Sequence, residues 1–241
     1  MAAQVKQRAL ITGASSGIGR ATALAFAQAG FDVALVGRNL TRLQAVAELA
    51  IAAGVDAKTY SVDLSEVAQV RSRFEAIAQE LGQIDILINN AGMGYTGKLA
   101  ETPLEDWQRV LDLNLTSVFQ CIQALLPGMR QRGQGTIINV ASIAGHQAFP
   151  EWGAYCVSKF GLVALSKTLA AEERSHGIRV VTVSPGAVNT PIWDTGTVQA
   201  EFDRSQMLSP ELVAQTLLQA ALLPQEAVIE ALTLMPSGGA F

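Results

Sequence analysis

Tyr155 and Lys159 stand four residues apart at the start of an apolar, periodic segment that runs toward His176. Residues at this spacing share one face of a helix, with Cβ atoms roughly 5 to 6 Å apart. A free tyrosine has a pKa of about 10, and a nearby cation favours its phenolate. The pair therefore predicts a group that exchanges protons near neutral pH. The same spacing occurs by chance in many helices, so the prediction depends on the residues that accompany the pair.

Two polar residues accompany the pair. Ser142 follows a predicted strand over 136–140, from where its hydroxyl can bond the same substrate oxygen as Tyr155. Asn114 lies inside a long helical pattern over 104–126, between two leucines. An asparagine there either serves the site or bonds the backbone of its own helix.

A glycine-rich turn over 12–19 (TGASSGIG) lies between the first predicted strand and the first predicted helix. Glycines at such a turn bring backbone N–H groups and a helix N-terminus close to a pyrophosphate. The spacing is GxxxGxG rather than GxGxxG, and glycine also punctuates ordinary strand-to-helix turns. The turn predicts a dinucleotide site, with a plain structural turn as the alternative.

Arg38 follows the second predicted strand, where a dinucleotide fold reads the ribose. A carboxylate there accepts from the 2′-hydroxyl of NAD, whereas a cation accommodates the 2′-phosphate of NADP. Arg38 therefore favours NADP(H) over NAD(H), although a solvated surface arginine is the alternative. Ser16 supplies no second cation from the glycine turn.

Short Val, Ile and Leu runs alternate with helical patterns along the whole chain, which predicts βαβ units. The seven predicted strands cover 8–12, 32–36, 59–62, 84–89, 136–140, 179–183 and 232–235. The central runs are continuously apolar, as in a parallel sheet with helices on both faces. We expect one doubly wound, Rossmann-type α/β domain over 1–241, in strand order 3-2-1-4-5-6-7. Ligands should bind beyond the carboxyl ends of these strands.

Several local signals bound the helices. Gly30 and Gly54 should end the first two helices, and Asn39 should cap the second. Ser209 and Pro210 should open a late helix. The irregular stretch before them predicts a substrate-binding loop or lid over 191–209.

Composition excludes several classes of function. The net charge is -4 with a pI near 5.2, which argues against nucleic acid and anionic lipid as partners. Two cysteines and two histidines offer neither a disulfide scaffold nor a metal site. We expect no signal segment before the glycine turn, no apolar run near the roughly 18 residues of a membrane span, and therefore a cytoplasmic protein.

Taken together, these motifs resemble the short-chain dehydrogenase/reductase family over nearly the whole chain. The matching segments, in family order, are Thr12 to Gly19, Asp63-Leu64, Asn89-Asn90-Ala91-Gly92, Asn114, Ser142, Tyr155 with Lys159, and Ser184-Pro185-Gly186 through Thr190. The resemblance implies an oxidoreductase that transfers hydride between a nicotinamide cofactor and a carbonyl or alcohol.

The resemblance also implies residue roles. Asn114, Ser142, Tyr155 and Lys159 match the catalytic tetrad, with Tyr155 as acid/base, Ser142 polarising the carbonyl, Lys159 binding ribose and lowering the tyrosine pKa, and Asn114 supporting a water relay. The implied cofactor contacts are Gly13, Ser15, Ser16, Gly17, Ile18, Gly19, Arg38, Asp63, Leu64, Asn90, Ala91, Gly92, Tyr155, Lys159, Pro185, Gly186, Val188 and Thr190.

The substrate is expected to be a ketone or aldehyde with apolar bulk, read by segments 93–95, 143–152 and 191–208, the last of which includes Trp193, Phe202 and Met207. A 3-oxoacyl-carrier-protein reductase is the alternative enzyme, although segment 223–236 departs from that subfamily's ending. A sensor that binds NADP(H) without turnover is the alternative outside catalysis. The helical segments 103–129 and 155–176 are expected to pack between subunits of a homodimer or homotetramer.

Overall fold

The computed structural model describes residues 6–200 and 203–239. In this part of the chain, seven strands form one sheet in the order β3-β2-β1-β4-β5-β6-β7, and every neighbouring pair is parallel. The predicted strand order and Rossmann-type architecture are therefore confirmed.

The elements follow the predicted alternation closely. The strands are β1 Arg8–Thr12, β2 Asp32–Gly37, β3 Ala57–Ser61, β4 Ile86–Asn89, β5 Gly135–Val140, β6 Ile178–Pro185 and β7 Ala231–Leu234. The helices are α1 Gly17–Gln28, α2 Leu40–Ala52, α3 Val67–Leu81, α4 Leu104–Leu111, α5 Ser117–Arg132, α6 Gly153–Glu173 and α7 Pro210–Leu222.

Helices cover both faces of the sheet, which explains the continuous apolar runs of its central strands. Every residue of β2, β4 and β5 is buried. One apolar cluster joins the sheet to α1, α2 and α7, and a second joins its other face to α3, α5 and α6. Burial of both faces fixes the sheet as a rigid base for the loops at its carboxyl edge.

The helix ends agree with the predicted capping residues. The Asn39 side chain accepts from the Arg42 N–H at 3.0 Å, and the Ser209 hydroxyl accepts from the Leu212 N–H at 3.2 Å. Gly30 and Gly54 both have a φ of +91°, in the left-handed region that favours glycine after a helix. These caps start and stop helices at the positions that the sequence indicates.

The predicted helical pattern over 104–126 is helical throughout, but it contains an irregular turn. Helix α4 ends at Leu111, a π-helical turn spans Asp112–Thr116, and α5 then continues to Arg132. Single π-turns inside helices are rare and frequently occur at functional sites. Asn114 lies in the middle of this turn, where its side chain is fully buried.

The combined helical stretch 104–132 also corrects the expectation about apolar length. Its length and mean hydropathy of 1.2 are sufficient for a membrane span, and 39% of that apolar window is buried. Its buried residues pack against the sheet and against α3 and α6. A mostly buried core helix of a soluble protein can have the same length and hydropathy, so these two properties alone are weak evidence for a membrane span.

The sheet reverses its winding direction between β1 and β4. From β1 the chain proceeds outward to β2 and β3, then returns to β4 and proceeds to β7 on the other side. A crevice forms beyond the carboxyl ends of the strands at such a reversal. The turn after β1 and the segment after β4 meet at this crevice.

Candidate active site

The turn after β1 has no room for side chains at two of its glycines. Gly13 has a φ of +67°, and a Cβ there would lie 2.8 Å from the Asn90 side-chain nitrogen. A Cβ on Gly19 would lie 2.3 Å from the Gly13 carbonyl oxygen. Glycine is therefore required for α1 to approach the turn and the neighbouring strand this closely.

The N-terminus of α1 opens into the crevice. Its capping residue, Ser16, has extended backbone geometry and makes no side-chain capping bond. Helix N-terminal N–H groups carry partial positive charge and bind phosphate. Ile18, in the first turn, lines the cleft, and a Cβ on Gly17 would lie 3.1 Å from Thr190.

The Thr12 hydroxyl ties the turn after β1 to the segment after β4. It accepts from the N–H groups of Asn90 and Ala91, each at 3.0 Å, and donates to the Ile88 carbonyl at 3.3 Å. The Asn90 side chain returns a bond to the Thr12 carbonyl at 2.9 Å. These bonds fix the two strand ends that form the crevice.

Arg38 and Asp63 lie at the outer part of the same edge. Arg38 follows β2 with its side chain exposed, and its carbonyl accepts from the Ser61 hydroxyl at 3.2 Å. Asp63 accepts from the backbone and hydroxyl of Ser65 through Oδ1, at 2.9 and 2.7 Å. The backbone N–H of Val62 donates to the Gly37 carbonyl at 3.0 Å, which keeps the two strand ends together.

Tyr155 lies in the first turn of α6, half-buried in a cleft that Ser142 also lines. Ser142 follows β5, and its hydroxyl accepts from the Ala144 N–H at 3.1 Å, which orients it. Burial raises the pKa of Tyr155 above its ordinary value of 10, and the nearby Ser142 hydroxyl opposes that shift. The phenol is therefore protonated at neutral pH.

Lys159 lies one turn further along α6 and is buried. Its ammonium donates to the Val140 carbonyl at 2.9 Å and lies 5.7 Å from the centre of the Tyr155 ring. Burial lowers the pKa of Lys159 to about 8. The predicted proximity is confirmed, but the main influence on the Tyr155 pKa is burial rather than the lysine charge.

Asn114 makes three side-chain bonds to protein groups. Its Oδ1 accepts from the Met93 N–H at 2.8 Å, and its Nδ2 donates to the Met93 carbonyl at 2.9 Å and to the Ser158 hydroxyl at 3.0 Å. The side chain therefore bonds a backbone segment of the cleft rather than the backbone of its own helix. A Cβ on Gly92 would lie 3.1 Å from Asn114 and 3.8 Å from the Lys159 nitrogen, so these groups are neighbours.

The segment after β6 forms the opposite wall. The Gly186 N–H donates to the Leu234 carbonyl at 2.8 Å, and Pro185 ends β6. Arg204 then crosses the following loop, donating to Asn189 at 2.9 Å, to the Thr190 carbonyl at 2.8 Å and to Asp194 at 2.6 Å. The sequence reasoning missed Arg204, because only the folded loop brings its three partners together.

These walls enclose a cleft that opens to solvent. Of the sequence-predicted residues, the cleft is lined by Ile18, Asn90, Gly92, Ser142, Tyr155, Lys159, Pro185, Gly186, Val188 and Thr190. Arg38 and Asp63 lie outside that lining, and Asn114 lies behind it. The sequence reasoning did not assign Met235 to the site, although its place at the end of the last predicted strand was a usable signal.

The loop after β6 closes over one side of the cleft. Its residue Thr197 accepts from the Thr96 N–H at 2.9 Å through its carbonyl and donates to the Gly94 carbonyl at 2.8 Å through its hydroxyl. Trp193 and Val198 line the cleft. Met207 lies in the same loop outside the lining, and Phe202 lies outside the described residues.

Across residues 6–200 and 203–239, no group of three or more His, Cys, Asp or Glu side chains is placed to hold a metal ion. Both cysteines are buried and free.

Comparison with known proteins gives consistent matches. Residues 7–200 match the short chain dehydrogenase family. The chain is 37% identical to a sepiapterin reductase of Chlorobaculum tepidum over 98% of both chains. It is 36% identical to a 3-oxoacyl-acyl-carrier-protein reductase of Synechocystis, over 99% of this chain and 98% of that one.

A solved structure and a longer relative complete the comparison. An alcohol dehydrogenase of Thermococcus sibiricus, complexed with 5-hydroxy-NADP, superimposes with a TM-score of 0.89 at 29% identity, covering 98% of this chain and 99% of that one. The chain also matches a glycine betaine reductase of Emericella nidulans at 35% identity over 95% of its own length, but it spans only 18% of that longer protein.

Proposed function

The chain belongs to the short-chain dehydrogenase family, and on that basis we propose that it is an NADP(H)-dependent oxidoreductase that interconverts a carbonyl and an alcohol. One observation carries the proposal: Ser142, Tyr155 and Lys159 line the same cleft, with the Lys159 ammonium 5.7 Å from the centre of the Tyr155 ring. A proton donor, an orienting hydroxyl and a cation therefore meet at one point.

The residues at the carboxyl edge of the sheet fit a dinucleotide. The turn after β1 excludes Cβ atoms at Gly13 and Gly19, and the N-terminus of α1 faces the cleft behind it. We assign the pyrophosphate to this turn and the outer groove at Asp63 to the adenine. The segments 90–92 and 185–190 would flank the nicotinamide end. When bound, the cofactor supplies or accepts the hydride.

The proton chemistry belongs to this chain. Ser142 orients the carbonyl oxygen by a hydrogen bond, and Tyr155 donates its phenolic proton to that oxygen as the alcohol forms. Because burial raises the Tyr155 pKa, the phenol starts protonated, as reduction requires. Lys159 would hold the ribose hydroxyls, and its charge would stabilise the phenolate left behind. Asn114 holds Met93 in place beside this centre.

Arg38 supports NADP(H) as the cofactor. Its exposed guanidinium follows β2, where it can pair with a 2′-phosphate. The Thermococcus sibiricus alcohol dehydrogenase, which is similar over nearly its whole length, is complexed with 5-hydroxy-NADP. NAD(H) is the less favoured cofactor because no carboxylate stands at the Arg38 position.

The substrate should be a small ketone or aldehyde with apolar bulk. Met93, Phe149, Ile192, Trp193 and Val198 line the cleft with apolar side chains. We propose that segment 191–209 is the substrate-binding loop of a single domain over 1–241. Its closed position, fixed by Arg204 and Thr197, supports that role.

A carrier-protein substrate is the second candidate. The 36% identity to the Synechocystis 3-oxoacyl-acyl-carrier-protein reductase favours it. A sensor that binds NADP(H) without turnover is the third, but it would need neither Ser142 and Tyr155 in one cleft nor a buried lysine.

Assembly and location are further parts of the proposal. We propose a homodimer or homotetramer in the cytoplasm, acting on small molecules and not on nucleic acid or membranes. Exposed apolar side chains on the helices expected between subunits support the oligomer: Leu104 on α4, Phe119 on α5 and Phe160 on α6. Light scattering at micromolar concentration tests it, and a monomer would refute it.

Turnover tests the main proposal. The protein is incubated with NADPH and a panel of ketones, aldehydes and a 3-oxoacyl thioester, with NADH in parallel, and absorbance of the reduced nicotinamide is followed. Loss of absorbance with simple ketones supports the proposal, and a much higher rate with the thioester favours the second candidate. Binding of NADPH without turnover of any carbonyl would leave only the sensor.

A further inference from the structure

Trp152 and Trp193 form an aromatic wall that ends on Tyr155. The rings of Trp152 and Tyr155 have centroids 5.5 Å apart and planes at 67°, and those of Trp152 and Trp193 have centroids 5.9 Å apart and planes at 70°. Both pairs have the edge-to-face arrangement that aromatic side chains prefer. Two residues far apart in the sequence thus extend the ring of the proposed proton donor into the substrate side of the cleft.

The wall is held before any substrate arrives. The Trp193 indole nitrogen donates to the Val188 carbonyl at 2.7 Å, which fixes the ring against the segment after β6. The backbone of Trp152 forms a parallel bridge with Gly97, and its backbone N–H donates to the Phe149 carbonyl at 3.2 Å. A wall whose side chains are already ordered loses little conformational entropy when a flat ligand packs against it.

Among the described residues of the cleft lining, an anionic substrate would meet no cation other than Lys159. Lys159 carries the only formal charge of these described residues, and its ammonium already bonds the Val140 carbonyl. The neutral polar residues Asn90 and Thr190 lie beside the glycine turn, where Asn90 bonds the Thr12 carbonyl and Thr190 would be 3.1 Å from a Cβ on Gly17. A carboxylate or phosphate placed against the tryptophans would lose water without gaining a cation.

We propose that Trp152 and Trp193 determine specificity by selecting uncharged ketones that carry an aromatic ring on one side of the carbonyl. This inference rests on the proposed carbonyl reduction. The ring would lie against the two tryptophans while the carbonyl oxygen reaches Ser142 and Tyr155. An aromatic ring should bind to this wall more tightly than a saturated ring of equal size. Both rings are buried, but the edges and faces of aromatic rings also attract one another.

Three ketones separate the effects of ring chemistry and charge. Acetophenone and cyclohexyl methyl ketone have the same heavy-atom count, and 4-acetylbenzoate adds a carboxylate to the ring of the aromatic ketone. We expect kcat/KM with NADPH to be roughly tenfold higher for acetophenone than for the cyclohexyl ketone. 4-Acetylbenzoate should be the poorest of the three, because it would carry its carboxylate against the tryptophans without a cation to pair with it.

Variants assign the preference to the wall. Trp152→Leu and Trp193→Leu should each bring the ratio of the two neutral ketones close to one, whereas Trp152→Phe keeps a ring and should retain most of the preference. Trp107→Leu is the matched control, because Trp107 packs near Tyr95 and Val110 and does not line the cleft. Circular dichroism checks that each variant folds.

The outcomes distinguish this inference from the proposed function. Equal kcat/KM for the two neutral ketones in the wild type, or a ratio unchanged in both leucine variants, overturns the wall while carbonyl reduction stands. If no ketone is reduced, the proposed function fails, and calorimetric binding of the same ketones still decides the inference. Equal affinity for acetophenone and cyclohexyl methyl ketone would overturn it, and tighter acetophenone binding that is lost in Trp152→Leu would support it.

Discussion

Asn114 holds both backbone polar groups of Met93, accepting from its N–H at 2.8 Å and donating to its carbonyl at 2.9 Å. The two residues lie on separate elements, Asn114 in the π-helical turn and Met93 in the segment after β4. Met93 lines the cleft, so the turn fixes one wall of the site through a single amide. An amide offers the donor and the acceptor that this pairing requires.

Replacement of Asn114 by Ala should therefore weaken both the fold and the site. The Met93 N–H and carbonyl and the Ser158 hydroxyl all lose a partner, which should cost about 1 to 3 kcal/mol of unfolding free energy. The resulting movement of Met93 should raise KM for the carbonyl substrate. Urea denaturation and steady-state kinetics measure the two effects. Asn114→Asp keeps the acceptor and loses the donor, so wild-type stability in both variants would contradict this account.

Tyr155→Phe should remove most of the turnover and keep cofactor binding. The phenol is the proton donor in the proposed reaction, and a positioned acid contributes about 10² to 10⁴-fold. The phenyl ring preserves the contact with Trp152, so packing should change little. NADPH oxidation and NADPH fluorescence titration measure the two properties. Tyr60→Phe, which removes a hydroxyl from the edge strand β3 outside the cleft lining, is the control, and near-normal turnover in Tyr155→Phe would reject the assignment.

The buried charge of Lys159 should make its contribution to stability depend on pH. Burial lowers its pKa from 10.5 to about 8, so the unfolded chain binds this proton more tightly than the folded one does. Burial of the charged ammonium reduces the free energy of unfolding by its full amount below pH 8. This reduction becomes smaller as the pH rises from 8 toward 10.5. Relative to Lys159→Met, the wild type should therefore gain on the order of 2 kcal/mol between pH 7 and 10.

Chemical denaturation at several pH values measures this gain. Other titrating groups are common to both proteins and cancel in the difference. Lys167→Met, an exposed lysine of the same helix, controls for the loss of one lysine. A constant difference between wild type and Lys159→Met across this range would show that the folded pKa is not lowered.

The fold was largely predictable because its signals are local. The first strand is found at the predicted residues 8–12, where an apolar run is bounded by a charged start and a glycine turn. Strand β3 was predicted two residues late, because it is an edge strand whose residues are mostly half-exposed and therefore lack a continuous apolar run. The helix caps at Asn39 and Ser209 depend on neighbours within three residues.

The parts of the site that escaped prediction depend on contacts between distant segments. The π-helical turn accompanies a bond from Asn114 to Met93, which no periodicity in 104–126 contains. The contact of Trp152 with Trp193 requires the loop after β6 to fold back over α6. The direction of the Tyr155 pKa shift also escaped, because its spacing from Lys159 says nothing about the depth of burial.

Arg38→Leu should reduce the preference for NADPH over NADH. The guanidinium is proposed to pair with the 2′-phosphate, and a hydrogen bond to a charged group contributes about 1.5 to 3 kcal/mol, or roughly 10 to 100-fold in KM for NADPH. KM for NADH should change little, because that cofactor carries no phosphate at this position. Arg71→Leu, which removes an exposed arginine of α3, is the control. Equal effects of Arg38→Leu on both cofactors would refute the pairing.

Arg130→Met should destabilise the protein at neutral pH and much less in acid. The Glu173 side chain is fully buried and is bonded by two guanidinium nitrogens of Arg130, whose own side chain is 47% exposed. That bond lowers the pKa of Glu173 below its ordinary value of 4.5, so the pair stabilises the fold above pH 4.5 and the stabilisation is lost as pH falls through the folded pKa. An unpaired buried carboxylate should cost about 2 kcal/mol at pH 7, since partial exposure of Arg130 weakens the pair.

Urea denaturation at pH 7 and pH 4 measures this loss of unfolding free energy. Arg132→Met is the control, and the double variant Arg130→Met/Glu173→Gln should recover part of the loss. A penalty of equal size at both pH values would mean that Arg130 acts through packing alone.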